Sequence, residues 1–551
     1  MAQSCSSETS SSSTSSTAVL AGVAAVGTTM TLLWLKHKID QMAKKAETSP
    51  FPGIPTAPQG HWLLGHLPRM ELPDGFQGVK HCCHDYADTK TGLCAIWAAT
   101  EPVISVLSGK DAKAILMASK TKPDIRIVAL HFQKFLGAKN LLSMKGKEWK
   151  LYRTAVHKSF TPAMMEQSQQ TITKVGNTLS DSLLCALQQQ SNNSETIQME
   201  IHPLMKMATS DVFFETMVGI DIQACQKLEL PVMATSFEFL AAEFQRRIGD
   251  PFDMAASLYC IPTSANRQHA RTTKTVRSFI MDHLTKAKQQ QQQQTSTNNN
   301  VLLEIWKAAE KEAAAVGESV NMEAVCDVAM TLFFAGYDTT SSTLAYTIYL
   351  LAKHPDIYQT CREEIDAVLG NNTGTITGPE QLPYTQAVIY ESLRLHSPVD
   401  LIARSLEKDT TLHGHVFEKG TTCFLPLMLI QQHEMNFSQP LEMRPDRWVR
   451  PTTRSADDNK SHKSQWEDRP SDDTASSDIA PGNRDALVAF SMGARNCVGR
   501  NLAMREAVTL LACLLHKLHF ELVSPSYELK PVLKLINQPG DGLPMVVKAR
   551  Q

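Results

Sequence analysis

The sequence predicts a mainly α chain with a smaller β part, forming one large domain behind an N-terminal membrane anchor. Three observations lead there. Apolar residues recur at helical spacing through 322–353, 384–396 and 497–518, while "PVISVLSG" (102–109) has the β-branched run of a strand. At 551 residues the chain could make two average domains, yet no shift in composition divides it. Residues 17–35 ("TAVLAGVAAVGTTMTLLWL") carry no charge, over close to the ~20 residues that a membrane-crossing helix requires.

In chain order, residues 1–16 are mostly Ser and Thr and read as a disordered tail. Gly22, Gly27, Thr28, Thr29 and Thr31 dilute the hydrophobicity of 17–35. Lys36, Lys38, Lys44 and Lys45 follow it and no Lys or Arg precedes it, which keeps the bulk of the chain on the cytoplasmic side. A signal peptide would start basic and a transit peptide would carry early arginines; the first arginine is Arg69. Residues 36–60, basic and then proline-rich ("SPFPGIPTAPQG"), read as a stiff hinge, and 61–551 as the main domain. Two low-complexity inserts, 289–300 and 454–485, read as solvated loops within it.

A net charge of -2 excludes chain-wide attraction to nucleic acid. Twelve unevenly spaced cysteines fit a reducing compartment rather than a disulfide scaffold. The ligands of "HCCH" (81–84) are too crowded for the usual zinc spacing, so helix packing is the better reading.

Residues 490–500, "FSMGARNCVGR", set Cys497 between two glycines and two arginines just ahead of an amphipathic helix at 498–518. Amides at a helix N-terminus hold a thiolate in its charged form. Gly493 and Gly499 let the backbone approach something flat and large without a Cβ in the way. Arg495 offers a fixed fork of donors to a carboxylate, and Phe490 screens the sulfur from water. Together these suit a haem whose iron takes a cysteine axial ligand, with Arg495 on a propionate. A packing role remains the default for the other cysteines.

This segment resembles the haem loop of the cytochrome P450 superfamily, of the microsomal haem-thiolate monooxygenase type. Other segments fall in the family's order. "FFAGYDTTSST" (333–343) puts a run of hydroxyls inside an apolar helix, which is costly unless they are used or bonded one turn back. The resemblance implies that Ala335 and Gly336 leave room over the iron, and that Asp338 and Thr339 are the acid–alcohol pair delivering protons to dioxygen. "ESLR" (391–394) and "RPDRW" (444–448) match the family's Glu-x-x-Arg and Pro-x-Arg-Phe segments. Glu391, Arg394 and Arg447 would then form a buried structural network, with Trp448 in place of Phe. "WKLYR" (149–153) resembles the family's Trp-x-x-x-Arg helix, placing Trp149 and Arg153 at a propionate, and Arg404 falls where another propionate-binding arginine stands. The resemblance covers roughly residues 50 to 550 and departs at the two inserts, the second near the thiolate side of the haem.

The function so implied is insertion of one atom of O2 into a lipophilic small molecule, by hydroxylation or epoxidation at haem b (iron protoporphyrin IX). Electrons come from NADPH through NADPH-cytochrome P450 reductase, with cytochrome b5 as a second donor, at the endoplasmic reticulum membrane ahead of plastid or other organelle membranes. No Gly-x-Gly-x-x-Gly follows a strand, so the chain itself is not expected to bind NADPH. "MKGKEWKLYRTAVHK" (144–158) offers Lys145, Lys147, Lys150, Arg153 and Lys158 as a cationic face for an acidic reductase, or as an ordinary solvated helix face. Phe237, Phe239, Phe244, Phe252 and Tyr259 read as a core stripe before they read as a substrate pocket. Two rivals stay open: a haem-thiolate isomerase or dehydratase acting on lipid hydroperoxides without external electrons, and a non-catalytic haem sensor. Asp338 and Thr339 speak against both, since neither needs a proton supply.

Overall fold

A computed structural model describes residues 48–550 apart from 59–64, 67–74, 99–100, 125, 190–195, 250–258, 293–300, 316, 318, 371–374, 453–465, 469–482 and 534, together with 36–37 and 40–41. The anchor segment 17–35 lies outside the described residues, as does the tail before it; among the described residues no helix is long and apolar enough to cross a membrane.

The body is mainly helical. Seven helices position the site: α1 (Gly146–Ser159), α2 (Pro162–Gln189), α3 (Ile201–Phe213), α4 (Val232–Gly249), α5 (Met322–Lys353), α6 (Pro383–Leu395) and α7 (Arg500–Lys517). Asn321 caps α5, its side chain accepting from the Ala324 N–H at 2.8 Å, and the helix stops one residue before Pro355. Apolar nearly all round, α5 runs through the core against α3, α6 and α7. Helix α7 starts at Arg500, later than its sequence pattern suggests, and it is not amphipathic. Every residue from Glu506 to Leu515 is buried, because α2, α5 and α6 all pack on it.

Besides two short hairpins, Thr410–Leu412 with His415–Phe417 and Pro531–Leu533 with Asn537–Pro539, the strands among the described residues are β1 (Leu93–Ala98), β2 (Glu101–Val106), β3 (Thr196–Glu200), β4 (Leu401–Ser405), β5 (Thr422–Pro426), β6 (Val449–Pro451), β7 (Trp466–Asp468), β8 (Leu518–Leu522) and β9 (Pro544–Ala549). One sheet has the order β1-β2-β5-β4, parallel only between β2 and β5; another has the order β8-β9-β3. In β4, Ile402 and Arg404 are two apart and so share a face, which lines the cavity described below.

Three expectations change. The proline-rich stretch is not a free hinge where it is described: the Ala95 N–H donates to Pro55 O at 2.7 Å, and the Trp97 indole donates to Thr48 O at 2.9 Å. Residues 289–292 are the last turn of helix Ser264–Gln292. Within the second insert, Trp466–Asp468 pairs antiparallel with β6 and sets the Trp466 ring 4.8 Å from that of Tyr384. The rest of both inserts lies outside the described residues. In "HCCH", Cys82 and Cys83 point into the core, while His81 and His84 lie 3.8 and 3.2 Å from the Asp85 carboxylate.

Glu391, Arg394, Arg447 and Trp448 meet in one buried cluster. Glu391 accepts from Arg394 Nε at 2.8 Å and Nη2 at 2.9 Å, and Arg447 Nε stands 3.6 Å from its second oxygen. Arg394 also donates to Gln431 O at 3.1 Å, Glu442 O at 2.7 Å and Pro440 O, stapling residues 431–447 to α6. Trp448 is a full member: its indole donates to Glu391 Oε1 at 2.9 Å, a bond that Phe could not make. All four side chains are buried, so removing the carboxylate strands two guanidiniums. Glu391→Ala is expected to cost about 3–5 kcal/mol in denaturant unfolding, and Trp448→Phe about 1 kcal/mol.

Candidate active site

A cavity of about 350 Å³ lies between α5 and the loop that precedes α7. Helix α5 opens to it at one place. Between residues 324 and 351 every residue is buried except Ala335, Gly336 and Thr339, and these three share one helical face. Cys497 stands in the loop lining the cavity's other side. Its accessible surface belongs to the cavity, because protein encloses the residue elsewhere.

The local backbone builds that thiol's surroundings. A turn at Gly493–Arg495 folds the loop back, and the Cys497 N–H donates to Phe490 O at 2.8 Å. Gly499 caps α7 without a side-chain bond, so the first amides of the helix are open. Burial pushes the Cys497 thiol above its usual range; the Gly499 and Arg500 amides and the Arg153 and Arg500 guanidiniums pull it back. The thiols of Cys326, Cys361 and Cys423, buried without comparable help, are pushed up to about 12. Phe490 lines the cavity next to the sulfur, with the Arg500 guanidinium 5.6 Å from its ring centroid.

The two loop glycines differ in role. A Cβ on Gly499 would meet nothing within 4 Å, which leaves open cavity space beside the thiol. Gly493 is not in the cavity wall. It has φ +69, and a Cβ there would lie 2.3 Å from Leu116 O, so this glycine serves close packing on the helix Gly109–Ala118.

Positive charge collects at one edge. Arg404 and Arg495 line the cavity, as do Arg153 and Trp149 from α1. Arg495 stacks 3.8 Å over the Trp149 ring and donates to Lys120 O at 3.0 Å and Met144 O at 2.9 Å. Arg153 donates to Asn496 Oδ1 at 2.6 Å, and Arg404 to Ser491 Oγ at 3.1 Å. Sequence reasoning missed a fourth cation, Lys122, whose Nζ donates to Leu142 O at 2.6 Å. Burial, then the charges of Arg495 and Arg404, lower Lys122 to about 7. Burial lowers Arg404 to about 10, and burial reinforced by Arg404 and Arg153 does the same to Arg495. Among the described residues no carboxylate pairs with any of the four, and Arg404 Nε and Arg495 Nη1 are buried without a hydrogen-bond partner. Such an edge fits a flat ligand carrying two carboxylates, and haem is one.

Thr339 faces the cavity and donates to Ala335 O at 2.6 Å. Asp338 does not reach the cavity. A neighbour in sequence is turned about 100° around a helix, and this one is buried against α3 with Oδ1 3.5 Å from Lys206 Nζ. Thr343 and Ser341 bond back to carbonyls one turn earlier, whereas Thr340 Oγ1 is buried with no partner. Phe237, Phe239, Phe244 and Tyr259 are absent from the cavity wall, which is made by 141–142, 209–217 and 389–402 instead; Phe252 lies outside the described residues. The basic face of α1 is thinner than its sequence suggests. Lys145 pairs with Asp124 at 3.0 Å, Lys158 pairs with Glu312 and Arg153 turns inward, leaving Lys147 and Lys150 exposed.

Comparison with known proteins gives this geometry a context. The family model described as Cytochrome P450 matches residues 55–541. Cytochrome P450 4V2 of Mus musculus is 23% identical over 513 residues, covering 90% of each chain. Cytochrome P450 72A13 of Arabidopsis thaliana is 24% identical, over 82% of this chain and 80% of its own. The 11-oxo-beta-amyrin 30-oxidase of Medicago truncatula is 24% identical, over 87% of this chain and 84% of its own. With the match spanning the cavity, both of its walls and the buried Glu391 network, this chain belongs to the cytochrome P450 family of haem-thiolate monooxygenases.

Proposed function

We propose that the cavity holds haem b with the Cys497 thiolate on its iron, and that the chain inserts one atom of O2 into a lipophilic molecule. The observation that carries this is the cluster of four cations, without a counter-anion among the described residues, at one edge of a cavity that has a thiol in its wall. When bound, the haem supplies activation of dioxygen using two electrons and two protons, the thiolate favouring O–O cleavage.

The chain's own residues do the rest. Lys122, Arg153, Arg404 and Arg495 bind the two carboxylates and fix the plane of the group. The Gly499 and Arg500 amides favour the charged form of the sulfur against its burial, and Phe490 excludes water from it. Thr339 sets a hydroxyl in the cavity wall, and by swinging away from Ala335 O it can pass a proton to the cavity. Leu141, Leu332, Val399 and Ile402 line the space available to substrate, so recognition there is by apolar contact. A relative is named for oxidising 11-oxo-beta-amyrin, which is consistent with a lipophilic substrate.

Electrons are supplied by NADPH-cytochrome P450 reductase, with cytochrome b5 as an auxiliary donor. Lys147 and Lys150 are the exposed cations of α1 available to meet an acidic partner. Residues 17–35 anchor the chain in the endoplasmic reticulum membrane with the catalytic body in the cytoplasm, a reading that rests on the run of uncharged residues and the lysines after it.

The reduced, carbon-monoxide-bound protein is expected to show the red-shifted Soret band of thiolate-ligated haem, and Cys497→Ala to abolish it; an unchanged band in that variant would remove the ligand assignment. Lys122→Met is expected to release haem about tenfold faster into a haem-scavenging globin, the loss of one charge-assisted bond of about 1.5 kcal/mol. Thr339→Ala is expected to keep its haem but divert NADPH electrons to peroxide, read as a lower ratio of product to NADPH consumed. Product formed from a lipid hydroperoxide with no reductase present would favour the isomerase reading instead.

A further inference from the structure

Between the helix Arg126–Leu136 and α1, the segment from Gly137 to Met144 forms neither helix nor strand, yet it is bonded as one piece. Asn140, fully buried, supplies most of those bonds. Its side-chain amide donates to Gly137 O at 2.6 Å, and its side-chain oxygen accepts from the Ser143 N–H at 2.8 Å. Its backbone oxygen accepts from the Met144 N–H at 3.1 Å. A buried network so satisfied makes the segment a stiff strap that shifts as a unit.

The strap meets the cavity in two ways. Leu141 and Leu142 stand in the apolar wall. Leu142 O accepts from Lys122 Nζ at 2.6 Å and Met144 O from Arg495 at 2.9 Å, so two of the four cations rest on strap carbonyls. What fixes the strap is Asp327 of α5, which is 4% exposed and absent from the cavity wall. Its two oxygens have separate tasks. Oδ2 accepts from the Lys139 N–H at 2.9 Å, inside the strap, while Oδ1 pairs with Arg277 of the helix Ser264–Gln292. The approach is close enough to require a glycine: Gly137 has φ +93, and a Cβ there would collide with the Asp327 carboxylate.

We propose that Asp327 is a positioning residue for the cavity, setting through the strap where Leu141 and Leu142 bound the substrate space and where the carbonyls under Lys122 and Arg495 stand. The inference rests on the haem-thiolate reading above, since a bound haem is what the wall and the cations share. A displaced strap loosens the wall and the cation grip together, because both are carried by one piece of chain. The bond that matters is the one to the Lys139 N–H, which needs an oxygen at residue 327 and not a charge.

The test uses the haem-loaded full chain and a series of 1-alkylimidazoles, whose free ring nitrogen ligates the iron while the tail lengthens from methyl to hexyl. Affinity is read from the Soret shift. In the wild type, each methylene that reaches the Leu141–Leu142 wall should tighten binding by about fourfold. Asp327→Ala, which strands the Lys139 N–H, should bind 1-methylimidazole as the wild type does but gain only about twofold per methylene. It should also lose haem to a scavenging globin roughly fivefold faster. Asp327→Asn keeps an oxygen for that N–H and should restore the gain per methylene, although its ion pair with Arg277 is gone.

A wild-type gain per methylene in Asp327→Ala would overturn the proposal. So would a weakening of the whole series, 1-methylimidazole included, at an unchanged slope, which is the mark of general loosening. Unchanged haem release beside a lowered slope would strike out the half that concerns the cations. If Asp327→Ala does not retain haem, Gly137→Ala, which drives strap and carboxylate apart without removing a charge, decides by the same slope, and a wild-type slope there is equally fatal. Failure of the haem-thiolate reading would look different: a wild-type protein with no Soret band to shift, or without the red-shifted band of its carbon monoxide complex.

Discussion

The constraint on which the site depends is uncompensated positive charge held away from water. Four cations converge on one cavity edge, two are pulled down to about 10 and one to about 7, and among the described residues no carboxylate answers them. Such an arrangement costs free energy until an anion arrives. Neighbouring features follow from that need. Trp149 gives the Arg495 guanidinium a π face, and backbone carbonyls of Lys120 and Met144 hold its fork in place. The Cys497 thiol beside them is handled by the complementary device, amides and guanidiniums that favour its anionic form. A dianion with a metal at its centre relieves both halves at once.

Charge is treated differently only a short way along the chain. Glu391 is as buried as any residue in the protein, yet both of its oxygens are fully engaged by Arg394, Trp448 and the Arg444 amide. That network is closed and serves to tie residues 431–447 to α6, so that the segment leading to Phe490 starts from a fixed place. The contrast between a satisfied buried carboxylate and unsatisfied buried cations separates what holds the fold from what awaits a ligand.

Much of this was legible in the sequence because the informative residues lie close together in it. Cys497 and its arginines fall within a few residues, Glu391 and Arg394 are one turn apart, and the bounds of α5 follow from its Asn cap and the proline after it. What was missed depends on the third dimension. Lys122 sits in "TKPD", which has no periodicity to report burial, and only the approach of Arg404 and Arg495 makes it part of the site. Asp338 and Thr339 are neighbours in sequence but not on a helix surface, so the pair divides between the contact with α3 and the cavity. Trp466 looked like one aromatic in a polar insert, and it became a strand residue because β6 and Tyr384 were there to receive it. The carboxyls of Asp400 and Glu506, both pushed well above the usual carboxylate range by burial, are invisible to motif reading for the same reason.

Gly493 has one more implication. Its missing side chain lets the thiol-bearing loop lie directly on the helix Gly109–Ala118, and Arg495 adds bonds to Lys120 and Met144. Chain segments some 350 residues or more apart in sequence are thereby pinned at a single spot. Contacts of that separation form only after the intervening chain has collapsed, since the entropy of closing so long a loop is met before the contact rewards it. On a ribosome the early segment would emerge, fold against the first sheet and then wait for the loop around Gly493. On the proposed function, pigment capture would thus follow that late contact rather than seed the fold, and a chain cut before Cys497 would have nowhere to put the metal.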